Sequence, residues 1–481
     1  MGELSLSTTR KELFGSLDAL DEKDNIFKQY FVETNIFHKM SGNENFLILI
    51  GEKGTGKSAI IKMCMITDKE NNKLVVDIQR PQVNEALTIN EKINAWKNYL
   101  ADRIIDVINK MRIDSNNLGK MFSVLEDALN DFTKNKYNIN YKKVKNQILD
   151  TLSPNLEIRV YIDDLDTGYR GTREQNESII SLFTAIREIM RENDNLRFRV
   201  TLRSDVYDNI RKVDESADKI QDVKLTLKIT NHQILAMLTK RVMNFIDASV
   251  AQQDFYQCTQ QRMMQYMSKL FETTFHGRGK WKNKATNYIL MTMTRRRPRD
   301  LFVLCGLAWE NAISNNRIKI TSEDLQAIFN DYSNERLRDA ISEYHHEFRN
   351  EEDLKELILA LKPSKQQMKK KDVIPLHLYT KETLLRKVHT ITERRNFYWS
   401  NGKVSTDLEL AKFLYKANIV VGRKDEDGII NRIYYTESPN LLSDLGNGNY
   451  KFEVHPAYRW AIDFMNDYIL NYVDSEEDNR D

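Results

Sequence analysis

The residues best suited to chemistry form a glycine-rich run, GEKGTGKS, that matches the phosphate-binding (Walker A) pattern G-x-x-x-x-G-K-[ST] in full. In this pattern the glycines let the backbone curl so that successive N–H groups face phosphate oxygens, and the next helix presents its positive end to the same anion. Lys57 is expected to reach the β- and γ-phosphates of ATP, and the Ser58 hydroxyl to ligate Mg²⁺. The predicted lining is Gly51, Glu52, Lys53, Gly54, Thr55, Gly56, Lys57, Ser58 and Ala59.

An acidic pair supplies the second half of such a site. Asp163 and Asp164 end the apolar run VYI, and Asp166 follows. We expect Asp163 to bind Mg²⁺ through water and Asp164 to orient and activate the attacking water, while Asp166 has no assigned role. The alternative is a solvated acidic turn after a strand. A further strand-like run lies in sequence between the glycine-rich run and this acidic pair. The acids are therefore predicted to end a different strand from the strand that follows the glycine-rich loop and its helix.

Two arginine-bearing segments are further candidates. Arg203 and Ser204 end a later strand, where a polar residue can sense the γ-phosphate, although Ser204 or Asp205 could equally cap the next helix. Arg299 lies in RRRPRDL, a basic run that begins a helix and therefore opposes its dipole. A nucleotide phosphate, nucleic acid, or simply a solvated basic face would account for this run. Its neighbouring bases, interleaved with Trp281, suit phosphate contacts and base stacking and are Arg278, Lys280, Lys282 and Lys284.

Alternating strand and helix patterns position these residues. Strands are predicted at 46–50, 73–78, 156–162, 196–202 and 223–229, with an amphipathic helix at 175–190. Such alternation predicts an α/β fold with a parallel sheet covered by helices on both faces. We predict a core at 1–230 with a helical insertion at about 80–155, and a helical lid at 231–347.

The last part of the chain has a different pattern. Helices at 356–361 and 407–417 precede two strands, 429–435 and 450–454, predicted to pair around the turn LGNGN. This predicts a winged-helix-like domain at 348–474, followed by an acidic tail at 475–481. Basic residues near the wing, which could bind DNA or form a solvated face, are Lys369, Lys370, Lys371, Arg386, Lys387, Arg394 and Arg395.

Composition limits the function classes. The 481 residues carry 72 basic and 70 acidic side chains, so no global positive field attracts nucleic acid. The three cysteines have neither disulfide nor zinc spacing, and no apolar run reaches the length of a membrane span. Neither a signal peptide nor a myristoylation pattern fits the first residues, so we expect a cytoplasmic protein without a membrane partner.

The chain resembles ATPases of the AAA+/STAND group, and more narrowly an IDDLD-type bacterial family of P-loop ATPases. The resemblance rests on GEKGTGKSA, IDDLDTGY, LRSDVY, RPRDL and HPAYR, in this order along most of the chain. IDDLD is also similar to KAP ATPases, whose inserted membrane spans are absent. The resemblance implies a RecA-like core, a helical lid, a C-terminal winged helix, ATP with Mg²⁺, and self-association.

By this resemblance Arg299 takes the position of the arginine that senses bound nucleotide. Arg296 stands where the family has a glycine before that motif, so the sequence departs from the family pattern at the lid. Related ATPases often act beside an effector protein in anti-phage or mobile-element systems. We therefore predict an ATPase switch or motor that forms a homo-oligomer and regulates an effector. The alternatives are an ATP-dependent DNA-binding factor and a scaffold that holds nucleotide without hydrolysis.

Overall fold

The computed structural model describes residues 2–114, 157–191, 193, 195–213, 220–363, 376–426, 429–443 and 450–462. The chain divides into two compact units, Glu33–Lys228 and Met1–Val32 together with Ile229–Asp481. The predictions for the second part of the insertion, for Lys369, Lys370 and Lys371, and for the acidic tail lie outside the described residues.

The first unit contains a parallel sheet. In the described residues its strands follow the order β2-β3-β4-β1-β5, and every pair is parallel. Strands β1 and β3 are buried along their whole length because both faces are apolar and covered. The predicted parallel α/β sheet is confirmed. Its strands are β1 (Phe46–Gly51), β2 (Leu74–Gln79), β3 (Ile158–Asp163), β4 (Leu196–Arg203) and β5 (Lys224–Thr226).

Helices cover this sheet and complete its core. The helices are α3 (Asn35–Ser41), α4 (Lys57–Glu70), α5 (Ile89–Asp114), α6 (Arg173–Met190) and α7 (Ser204–Val213). On α6, apolar residues at helical spacing face the sheet, and the Thr172 side chain caps the first turn by accepting from the Gln175 N–H. Trp96 of α5 is buried in the same core and donates from Nε1 to the Ser178 carbonyl at 2.9 Å.

Two buried arginines secure the loop that leads into β1. Arg199 on β4 donates to the backbone carbonyls of Met40, Gly42 and Glu44. Arg159 on β3 also donates to Gly42 and lies 3.7 Å from Asp68 of α4. Burial lowers the pKa of the Arg199 guanidinium to about 10. These contacts fix the entry into β1 and so the position of the glycine-rich run that follows it.

The second unit is mainly helical and carries a small antiparallel sheet with the order β6-β9-β7-β8. Its α-helices are α1 (Arg10–Phe14), α2 (Asp24–Tyr30), α8 (Asn231–Ile246), α9 (Gln260–Tyr266), α10 (Thr286–Met293), α11 (Pro298–Ser314), α12 (Ser322–Tyr344), α13 (Glu352–Leu359), α14 (Lys381–Thr392), α15 (Asp407–Lys416) and α16 (Pro456–Arg459). Its strands are β6 (Leu378–Tyr379), β7 (Val420–Glu426), β8 (Ile429–Ile433) and β9 (Lys451–Val454). Short 3₁₀ helices lie at Ala19–Asp21, Val250–Gln252, Phe255–Gln257, Met267–Lys269, Gly279–Trp281 and His345–Glu347.

The predicted pairing of 429–435 with 450–454 is wrong. Strand β8 pairs with β7, while β9 pairs with β7 and β6. Strand β7 is not predicted from the sequence because its second half is charged. One of those charges, Arg423, is buried and lies 3.2 Å from the Glu453 carboxylate on β9, so a charged position sits inside the sheet.

The N-terminal segment packs with the second unit, whereas the sequence analysis grouped it with the core at 1–230. Leu13 and Phe14 of α1 are buried in one cluster with Ile234 and Leu235 of α8. The Gly2 N–H also donates to the Phe245 carbonyl at 2.8 Å. Two apolar residues in a short helix do not indicate which core they join, so this grouping could not be read from local pattern.

Candidate nucleotide site

The glycine-rich run forms the turn between β1 and α4. Gly54 and Gly56 have φ angles of 80° and 101°, in the left-handed region that favours glycine. At Gly51, an added Cβ would lie 2.8 Å from the Thr55 hydroxyl oxygen. The run therefore needs glycine for backbone conformation at two positions and for space at the third. A left-handed turn at a helix start is the backbone geometry that cradles anions.

Lys57 begins α4 and lies back over this loop. Its Nζ donates to the carbonyls of Gly51 at 3.0 Å and Glu52 at 3.1 Å. The neighbouring Ser58 and Ala59 occupy the same first turn. The ammonium group is thus held at the mouth of the cradle, where a phosphate could exchange for the carbonyl contacts.

Asp163 ends β3 and is 1% exposed. The Thr201 hydroxyl, on the neighbouring strand β4, donates to Oδ1 of Asp163. Burial raises the pKa of this carboxyl, while hydrogen bonds from Thr201 and Ser58 oppose that rise. Oδ2 is buried and has no hydrogen-bond partner among the described residues. A buried carboxylate oxygen beside the Ser58 hydroxyl is a donor set that fits Mg²⁺.

Asp164 lies just beyond the end of the strand in a left-handed conformation, with φ 55°. Its side chain is 40% exposed, and Oδ2 lies 3.4 Å from Arg80 Nε. Left-handed backbone in a residue other than glycine is uncommon and often marks a functional position. The carboxylate faces solvent, as a group that orients a water molecule must.

Arg80 is a site residue that the sequence analysis missed. It follows β2 directly, also has a left-handed φ of 50°, and its N–H donates to the Asp163 carbonyl at 3.1 Å. Thr201 is the second such residue. Both residues could have been found from their position near the end of a predicted strand, because polar residues at the ends of neighbouring parallel strands meet at one edge of the sheet.

Arg203 ends β4, directly opposite Gly51 of β1 in the strand register. Its guanidinium makes two contacts with Asp205, at 3.0 and 2.6 Å, and lies 3.3 Å from Asp166 Oδ2. Helix α7 begins at Ser204. Arg203 thus forms one charged cluster with Asp205 and Asp166 beside the glycine-rich loop, and its role toward the γ-phosphate stays a prediction.

The structure thus brings Gly51–Ala59, Asp163, Asp164 and Arg203 to one edge of the sheet, at the carboxyl ends of β1, β3 and β4. Arg299, the remaining predicted nucleotide-binding residue, belongs to the second unit. It lies in the first turn of α11 and is partly exposed. Its role as a nucleotide sensor stays a prediction.

The basic run before α11 is neutralised within its own unit. Arg295 pairs with Asp300 at 2.7 Å, Arg296 with Glu437 at 2.5 Å, and Arg297 with Glu343 at 3.0 Å. From the sequence, a nucleotide phosphate, nucleic acid or a solvated basic face would account for these charges. Internal carboxylates offset three of them instead.

Trp281 cannot stack on a nucleic-acid base in this structure. It is 1% exposed and packs against Phe275, Phe329 and Trp460, with ring centroids 5.5–6.2 Å apart. The interleaving of Trp281 with lysines therefore reflects a core aromatic between solvated bases. The expected stacking surface at 278–284 is wrong.

The basic residues near the predicted wing are also partly engaged. Arg395 lies 2.9 Å from Glu356 and also pairs with Asp353, and Lys387 donates to the Lys362 carbonyl at 2.9 Å. Arg386 and Arg394 are exposed. This surface therefore carries fewer unengaged charges than its sequence suggests.

A glycine-rich phosphate loop between a buried parallel strand and a helix, with an acidic residue ending another strand of the same sheet, defines the P-loop NTPase fold. None of the helices in the described residues is both long enough and apolar enough to cross a membrane.

Residues 235–341 match the family described as the FunZ-associated C-terminal helical domain. These residues fall within the region predicted as the helical lid. The chain is also 21% identical, over 393 residues, to the putative transposon gamma-delta 80.3 kDa protein of Escherichia coli (strain K12). That match covers 70% of this chain and 52% of the relative, so the chain spans about half the length of the curated protein it matches.

Two solved structures are similar over much of the chain. The ORC2 protein of Aeropyrum pernix, in its ADPNP–ADP complexes, is 11% identical with a TM-score of 0.41, covering 91% of this chain and 95% of that one. The RuvB Holliday junction branch migration motor of Thermotoga maritima is 12% identical with a TM-score of 0.31, covering 68% and 79%.

Proposed function

We propose that this chain is a Mg²⁺-dependent ATPase of the AAA+/STAND type, acting as a switch or motor on a partner protein. One observation carries the proposal: a buried carboxylate oxygen of Asp163 has no hydrogen-bond partner among the described residues and lies beside Ser58, at the start of the helix that follows the phosphate loop. Leaving such an oxygen buried costs free energy unless a ligand compensates it. A hydrated metal ion held between these two residues would do so.

Different residues of the site are assigned to phosphate binding and to metal binding. The loop backbone and the start of α4 bind the phosphates, and Lys57 exchanges its carbonyl contacts for them. Ser58 and Asp163 would hold Mg²⁺, which would offset phosphate charge. Thr201 fixes the orientation of Asp163 by donating to its other oxygen.

Asp164 is the residue we assign to water. Its solvent-facing carboxylate can accept a proton or hydrogen bond from an attacking water, and Arg80 holds it from one side. Arg203, at the end of the strand next to the loop, is placed to respond to the γ-phosphate. This division favours hydrolysis over the alternative of a scaffold that only holds nucleotide, because a scaffold does not need Asp164.

The biological role rests on resemblance. The motif order resembles bacterial ATPases that act beside effectors in anti-phage or mobile-element systems, and the printed name of the Escherichia coli relative connects that protein with a transposon. We place this chain in such a system, with an effector protein as partner. The DNA-binding alternative loses support from the buried Trp281 and from the paired arginines before α11.

Phosphate release from ATP tests the proposal. The purified chain is expected to turn over ATP in the presence of Mg²⁺, and duplex DNA is not expected to stimulate it. Strong stimulation by DNA would favour the DNA-binding factor. Binding of ATP without any turnover, alone or with products of neighbouring genes, would favour the scaffold.

A further inference from the structure

Asp166 is the acidic residue to which the sequence analysis gave no role. Its side chain is only 10% exposed, and its Oδ2 lies 3.3 Å from the Arg203 guanidinium. Burial raises the pKa of this carboxyl, whereas the charges of Lys57 and Arg203 oppose the rise. Asp166 therefore lies in the electrostatic reach of both cations that the proposed ATPase site offers to phosphate.

This position is unexpected for a carboxylate. A site built to bind a polyanion gains nothing from a fixed negative charge beside its lysine, since like charges repel. Asp163 and Asp164 have proposed roles toward metal and water, whereas Asp166 has none and forms an ion pair with Arg203. The charge of Asp166 has the same sign as that of a nucleotide phosphate.

The contacts of the two cations suggest what Asp166 does. Lys57 lies on the carbonyls of Gly51 and Glu52, and Arg203 is held by Asp205 as well as by Asp166. Both cations are thus engaged by groups of the protein itself, in a largely buried place where an uncompensated charge would be costly. A phosphate that binds Lys57 or Arg203 must therefore compete with these contacts.

We propose that Asp166 is an internal counter-ion that competes with the nucleotide phosphates for Lys57 and Arg203. The competition weakens nucleotide binding and so favours release of the product ADP. This inference rests on the proposed ATP site and adds a residue that sets its affinity. It makes Asp166 a positioning residue and not a catalytic one.

The test is a calorimetric titration of the full-length chain with ATP and with ADP, in buffer containing Mg²⁺. Asp166→Asn keeps the shape of the side chain and removes its charge. We expect it to bind both nucleotides on the order of tenfold more tightly, the effect of removing one nearby like charge in a partly solvated site. Glu174→Gln, on an exposed residue of the same unit, changes the net charge equally and should leave both affinities unchanged.

The direction of the change separates the possible outcomes. A purely structural Asp166 would give weaker binding or none when replaced, so unchanged or weaker affinity in a folded Asp166→Asn variant would overturn the inference alone. If the wild type bound no nucleotide, the proposed function would fall and this inference with it. Asp166→Ser carries the same expectation, and failure of both variants to fold would also count against a counter-ion that phosphate can replace.

Discussion

At the scale of single residues, the site holds carboxylates in three different environments. Asp163 is buried with one oxygen satisfied, Asp164 is partly exposed beside Arg80, and Asp166 is partly buried against Arg203. Since environment decides what a carboxylate can do, three acids within four positions acquire separate roles. Metal binding falls to the first, water to the second and charge compensation to the third.

The first two roles predict different effects of substitution on nucleotide binding and turnover. Asp164→Asn should bind ATP with near wild-type affinity but lose turnover by about 100-fold or more, because it removes the carboxylate that orients water. Asp163→Asn should instead weaken Mg²⁺-dependent binding. Titration and phosphate release on both variants would check this. Normal binding and normal turnover in both would make the pair structural.

Burial of Asp163 also affects stability. Because its pKa is raised on folding, the charged form opposes folding, and this cost grows as pH rises through the raised pKa. Without nucleotide, the Asp163→Asn variant should therefore melt no lower than the wild type near neutral pH. Functional sites often keep a charge that destabilises the fold, because the function needs that charge.

At the scale of elements, buried ion pairs at the RPRDL and HPAYR motifs of the second unit act as structural clamps. Asp300 in the first turn of α11 accepts from Arg295 and from Arg336 of α12, and Arg295 also donates to the Tyr458 hydroxyl of α16. Glu453 on β9 is contacted by Arg423, Arg432 and Arg459. The RPRDL and HPAYR segments are thus linked by the Asp300–Arg295 ion pair together with the buried hydrogen bond from Arg295 to Tyr458.

Removing one partner from such a clamp should lower the free energy of unfolding. Asp300→Asn leaves two buried arginines without their carboxylate and should lower the stability of the second unit by about 3–5 kcal/mol. Thermal unfolding would measure the loss, and Arg299→Ala, on the partly exposed neighbour, should shift it far less. An unchanged melting temperature in Asp300→Asn would show that the clamp does not stabilise the fold.

The same clamp predicts acid sensitivity. Burial opposes the charge on Asp300, but Arg295 and Arg336 outweigh it and hold its pKa well below the ordinary value of 3.8. Because the pKa is lowered on folding, this stabilisation is present above the ordinary pKa and is lost as pH falls below it.

Local sequence pattern predicted one part of this molecule well and could not predict another. The glycine-rich run, β1, β3 and the acids after β3 depend on residues close in sequence, so their types and spacing predicted them. Arg295 and Arg297 resemble an exposed basic patch in the sequence. Arg295 pairs with the nearby Asp300, but the partner of Arg297, Glu343, lies far along the chain. Trp281 and β7 were misread for the same reason, since burial depends on residues that only the folded chain brings together.

At the scale of the whole molecule, two arginines are candidates to contact the nucleotide of a neighbouring subunit: Arg203 at the end of β4 and Arg297 before α11. Arg297 is 2% exposed and paired with Glu343, so it is not available to a neighbour in this structure. Arg203 is engaged by Asp166 and Asp205 beside its own loop. Of these two arginines, Arg203 belongs to the unit that carries the phosphate loop.

Self-association remains a prediction of the account. The γ-phosphate changes the contacts that Arg203 can make, so ATP-bound and ADP-bound forms should differ in oligomer size or compactness. Light scattering of Asp164→Asn with ATP or ADP, at equal protein concentration, would compare them. A monomer of unchanged radius in both states would leave Arg203 as an intramolecular contact and favour a monomeric factor.

The most direct measurement of the central claim is Mg²⁺-dependent ATP turnover by the wild type and by Lys57→Ala. Lys69→Ala is the matched control, because Lys69 is an exposed lysine in the last turn of the same helix. The account predicts turnover by the wild type and by Lys69→Ala, and loss of at least 100-fold in Lys57→Ala, which removes the cation from the phosphate cradle. Turnover at the wild-type rate in Lys57→Ala would contradict the assignment of the nucleotide site.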